Sequence, residues 1–108
     1  MRFDKKQVLA ELDIPEEFYK KLLTLFLEQA EEQILKLPAL IQNKDFGKMA
    51  DFFHLIKGAA ANLRILEIQE LAERLERVCE EEKNLQVIEE GLCELKRLLE
   101  ATKALMTE

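Results

Sequence analysis

The chain is poor in the residues from which most active sites are built. Its 108 residues hold one histidine, two cysteines, one tyrosine, no tryptophan, three glycines and two prolines. Gly47, Gly58 and Gly91 are too scattered to cradle a nucleotide's phosphates, so ATP-dependent kinase chemistry has no loop to use. No Gly-x-Ser-x-Gly turn is present to raise a serine nucleophile beside an imidazole. A di-metal site inside a helical bundle needs two Glu-x-x-His pairs, and the nearest approach is Asp51-x-x-His54, so no metal is expected. Cys79 and Cys93 match no zinc spacing and lie next to apolar residues, which reads as two buried, reduced core thiols.

Basic charge is also short. Sixteen Lys and Arg face 22 Asp and Glu, a net charge of −6, and the cations form no stripe that could displace counter-ions from nucleic acid. A protein partner is expected instead. Apolar runs fall well short of the roughly 20 residues that span a bilayer, and the first residues lack the apolar stretch of a secretory leader. The expectation is a cytoplasmic chain without membrane contact, its single domain covering residues 1–108.

Strand signals are missing too, because no segment alternates apolar and polar residues for long and no Asn-Gly or Asp-Gly turn occurs. What remains is helical spacing. Phe3, Val8, Leu9 and Leu12 mark a short first helix. Asp13-Ile14-Pro15-Glu16 reads as a capping box for a second helix, running from about Ile14 to Ile41 and kinked or cut short by Pro38. Asp45 or Asn43 caps a third helix that ends around Leu63-Arg64. A fourth runs from about Glu67 to Glu82 and a fifth from Leu85 to about Leu105, with Lys83-Asn84 as the turn between them. Four long amphipathic helices joined by short loops imply an all-α fold, an antiparallel up-down four-helix bundle with a short additional N-terminal helix. Glu31-Glu32 and Glu80-Glu81-Glu82 read as solvated faces.

At about 100° per residue, Gly47, Ala50, Gly58 and Ala61 fall within roughly 40° of His54, so the imidazole stands in a stripe of very small side chains. Met49, Phe52, Ile56, Ala59 and Leu63 fall opposite it and form the core face, with Phe53, Leu55 and Ala60 on its flanks. Phe53 and Leu55 read either as core or as part of a docking patch. An exposed imidazole that is neutral near pH 7 has a free ring nitrogen able to attack a phosphoryl group in line. Lys57, three residues on, can meet the charge such a group brings. Gly58 leaves room for it, and a glycine within a helix costs about 0.5 to 1 kcal/mol relative to alanine, so its presence there asks for a reason.

The pattern His54-x-x-Lys57-Gly58-x-x-x-Asn62-Leu63 resembles the signature of histidine-containing phosphotransfer (HPt) domains of two-component phosphorelays. The likeness extends from about Phe18 to Leu99, taking in Asp45 and Leu71 with Leu75-Glu76. It implies a non-enzymatic phosphocarrier that moves a phosphoryl group between receiver-domain aspartates. His54 would carry the group on Nε2, Lys57 and Gly58 would stabilise and clear it, and Glu76 would hold the other ring nitrogen. The implied partners are receiver domains of response regulators or hybrid kinases, and no cofactor is implied. Ala59 and Ala60 stand where many relatives have serine, and Arg64 where they have glycine. These departures leave open a pseudo-HPt adaptor that binds without transfer. The phosphoacceptor domain of a larger sensor or chemotaxis kinase would look the same.

Overall fold

In the computed structural model, which describes residues 2–106, the chain runs in order through α1 (Lys5–Leu12), α2 (Glu16–Ile34), α3 (Leu37–Gln42), α4 (Phe46–Asn62) and α5 (Leu66–Arg77). A π-helical turn over Val78–Glu82 then leads to α6 (Leu85–Leu105), and no strand occurs among the described residues. Three of the starts are capped by side chains that accept an otherwise unpaired helix N–H. Asp4 takes that of Gln7 at 3.2 Å, Asp45 that of Lys48 at 3.1 Å, and Asn84 that of Val87 at 3.2 Å.

The Asp13 capping box does not form. Asp13 instead closes α1 in the left-handed conformation, φ 52°, with its N–H on the Leu9 carbonyl at 2.9 Å, so Pro15 is left as the N-cap of α2. Pro38 breaks the expected long helix ahead of itself. Its ring would strike the carbonyl four residues back, that of Ile34, and Ile34 is the last residue of α2. The chain turns through Leu35 and Lys36 and re-enters a helix with Pro38 in the first turn of α3, where its missing N–H is not needed. The expected fourth helix loses its α-helical form after Arg77, and its last residues take the wider π turn.

Long-range contacts give the packing directions. Thr24 meets Met106 and Glu31 meets Lys103, so α2 and α6 run antiparallel. His54 meets Glu76 across the α4–α5 corner, and Gly91 abuts Leu75 across the α5–α6 corner. With α2 and α3 as one broken arm, the result is an antiparallel four-helix bundle, and α1 lies over the end that holds the α4–α5 corner, bound by a Glu11–Arg64 ion pair at 3.5 Å.

The core draws on every long arm: Tyr19, Leu23, Phe26 and Leu27 from α2, Met49, Phe52, Phe53 and Ile56 from α4, Ile68 and Leu75 from α5, and Ile88, Leu95 and Leu98 from α6. Helix α4 is turned slightly from its expected orientation. Phe53 and Ala50 are buried and Ala59 is half-buried, while Leu55 is 66% exposed. Cys79 is buried as expected, and burial pushes its thiol up to about 11. Cys93, expected in the core, faces solvent.

Candidate functional site

Helix α4 begins at a capped Asp45 and carries His54 near its middle, on the side turned away from Phe53 and Met49. The far end of α4 is pinned from across the bundle, where the buried Tyr19 hydroxyl donates to the Leu63 carbonyl at 2.7 Å. That bond satisfies an acceptor left over by the helix terminus, and burial raises the Tyr19 hydroxyl to about 12. Arg64 next turns the corner at φ 61°. Its guanidinium donates back to the Ala61 carbonyl at 2.8 Å and pairs with Glu11. The left-handed geometry a glycine would adopt freely is thus kept, at a cost of roughly 1 kcal/mol for a side chain that has a Cβ. Arg64 spends its charge at this corner.

Past the corner, α5 runs back along α4 and brings Glu76 beside the histidine. Oε2 of Glu76 lies 2.8 Å from Nδ1 of His54, and Oε1 accepts from Nζ of Lys57 at 2.6 Å. The structure therefore draws His54, Lys57 and Glu76 into one cluster. The Lys57 ammonium, the largest influence, holds the Glu76 carboxyl below its ordinary range, and the bond from His54 acts the same way against partial desolvation. Lys57 is raised in turn, chiefly by its bond to Glu76, with Glu73 and Glu80 acting on the same ammonium.

An ionised carboxylate can only accept hydrogen bonds, so it selects the tautomer with the proton on Nδ1. The lone pair is then on Nε2, on a ring whose side chain is 65% exposed. Gly58 follows on the open side, and a Cβ built on it would meet nothing within 4 Å. Beside the histidine, Leu55 forms the crest of a shallow groove between α2 and α4, about 370 Å³, lined by Phe26, Ala30, Phe52 and Ala59 among others. Among the described residues no group of His, Cys, Asp or Glu is arranged to hold a metal ion, and no helix is long and apolar enough to cross a membrane.

His54, Lys57 and Gly58 are marked by the spacing along α4 itself, and Glu76 only by the family likeness. Spacing along one helix cannot reveal a contact made 22 residues away. No local pattern marks Tyr19, which fixes the end of α4, or Glu73, while Glu80, which the sequence reads as part of a solvated acidic face, also acts on the Lys57 ammonium. Among known proteins, the family model described as Hpt domain matches residues 21–105. No curated protein and no solved structure matches the chain.

Proposed function

The chain belongs to the Hpt-domain family, the phosphotransfer modules of two-component signalling, and from that premise we propose that it is a phosphocarrier between receiver-domain aspartates, with His54 as the residue phosphorylated. The observation that carries this reading is the 2.8 Å contact between Nδ1 and Glu76 on an exposed ring: in the neutral imidazole it holds the proton on Nδ1 and leaves the Nε2 lone pair open to solvent.

In the forward step the Nε2 lone pair attacks the phosphorus of a receiver's phosphoaspartate. The P–O bond to the aspartate breaks, its carboxylate departs, and an N–P bond forms. The ring keeps its proton on Nδ1 and becomes a phosphoimidazolium, whose positive charge faces Glu76. Lys57 lies one helical turn from His54 and meets the phosphoryl oxygens, and Gly58 leaves room for the donor's rim. Onward transfer reverses the step with a second receiver. The chain needs no ATP site and no cofactor of its own for this, and any divalent cation would be held by the partner's carboxylates. We place the reaction in the cytoplasm, where receiver domains are found.

Incubation with a phosphorylated receiver should give an acid-labile, base-stable phosphate on the protein, and His54→Gln should abolish it. Label retained by that variant refutes the assignment. Lys57→Ala should slow transfer roughly tenfold to a hundredfold, the worth of a charge-assisted hydrogen bond. Receiver binding that survives in His54→Ala, with no transfer in the wild type, would mark an adaptor instead.

A further inference from the structure

The Glu76 carboxylate is engaged twice over, by the ring at 2.8 Å and by Lys57 at 2.6 Å, and Lys57 makes its one described ion pair there. Glu73 and Glu80, three residues before and four after Glu76, act on the same ammonium. A phosphoryl group on Nε2 would add about 1.5 to 2 negative charges one helical turn from this ammonium. The charge it needs is already held.

We propose that Lys57 is a transferable counter-ion: phosphorylation of His54 draws the ammonium off Glu76 onto the phosphoryl oxygens, and Glu76 competes to take it back. The proposal rests on His54 being the phosphoacceptor. Before attack, a neutral ring, one ammonium and one carboxylate balance. Once the N–P bond forms, the ring gains a positive charge and the phosphoryl group brings nearly two negative ones, so the site as a whole turns negative. The carboxylate that selects the reactive tautomer thus also limits how firmly the phosphoryl group is held, which favours its departure to the next acceptor.

The competition can be read without any partner. Phosphoramidate loads the histidine directly: its N–P bond breaks, ammonia leaves, and the new N–P bond forms at Nε2. Once the donor is removed, ³¹P NMR follows the lifetime of the phosphohistidine in the wild type, Glu76→Gln, Lys57→Met and the double variant. A neutral residue at 76 also changes the ring's own surroundings, so the informative quantity is the non-additivity. Glu76→Gln should lengthen the lifetime by a factor about threefold larger when Lys57 is present than in the Lys57→Met background, the scale of one unit charge removed near the surface. Glu73→Gln, which does not touch the ring, should lengthen it less, and again only with Lys57 present. That variant reads the same competition if Glu76→Gln loads too slowly to measure. Equal factors in both backgrounds would overturn the competition and leave phosphoacceptance standing, whereas a wild type that takes no label would overturn both.

Discussion

Gly58 on α4 and Gly91 on α6 carry the same intrinsic penalty, about 0.5 to 1 kcal/mol each relative to alanine inside a helix. Their surroundings are opposite. A Cβ on Gly91 would overlap Cδ2 of Leu75 and lie 3.0 Å from its Cγ, and Leu75 is fully buried, so it can give way only by repacking the core around it. A Cβ on Gly58 would stand in open space. The glycine of the α5–α6 seam is explained by close packing within the chain. The glycine beside the histidine has no such reason in the fold, and the proposed function would supply one in the approach of a receiver. The contrast is sharper because, among the described residues, four corners adopt left-handed geometry with Asp13, Lys44, Arg64 and Lys83, and none of them uses a glycine. The chain's three glycines all lie within helices.

Substitution should separate the two positions. Gly91→Ala is expected to have the largest effect, a loss of about 1 to 3 kcal/mol in urea unfolding from overpacking against Leu75, partly relieved by Leu75→Val. A neutral outcome would mean the seam can open and would undo the packing side of the contrast. Tyr19→Phe comes next. It strands the Leu63 carbonyl at the end of α4 and should cost about 1 to 2 kcal/mol.

The same residue predicts a pH signature. Its folded pKa, about 12, lies above the ordinary 10, so its contribution to stability is complete below pH 10 and is lost as the pH rises towards 12. In Tyr19→Phe that part of the alkaline decline should disappear, and an unchanged decline would remove Tyr19 as its source.

Gly58→Ala is a smaller change of opposite sign. The fold should gain about 0.5 to 1 kcal/mol while transfer from a receiver slows. A variant that is more stable and equally fast would leave the clearance explanation without support. The smallest perturbation is chemical labelling of the native protein, in which a thiol reagent should modify Cys93 rapidly and Cys79 only on unfolding.

Much of this architecture is legible in the sequence because helices announce themselves locally. The turn at Lys83-Asn84 and the bounds of α6 follow from spacing and one capping residue. The misreadings have the reverse cause. Asp13 can end one helix or begin the next, and only the three-dimensional corner decides which. The π turn begins on Val78 and Cys79, which continue the apolar spacing from Leu75 at steps of three and four, so the pattern does not distinguish it from more α-helix. Cys93 beside Leu92 looks like core, yet it is one step of about 100° further round the helix and reaches water. At the candidate site, the small-residue stripe marked the exposed face of α4, although Ala50 proved buried. The carboxylate that meets the ring comes from another helix, and no period within α4 could have disclosed it.

The most direct measurement is the position of the phosphoryl group. On ¹⁵N-histidine-labelled protein loaded with phosphate, the ³¹P–¹⁵N coupling should fall on Nε2 of His54, and the unloaded ring should carry its proton on Nδ1. A phosphoryl group on Nδ1, or a resting ring protonated on Nε2 above its titration, would contradict the selection of the tautomer by Glu76 and with it the open nitrogen on which phosphotransfer depends.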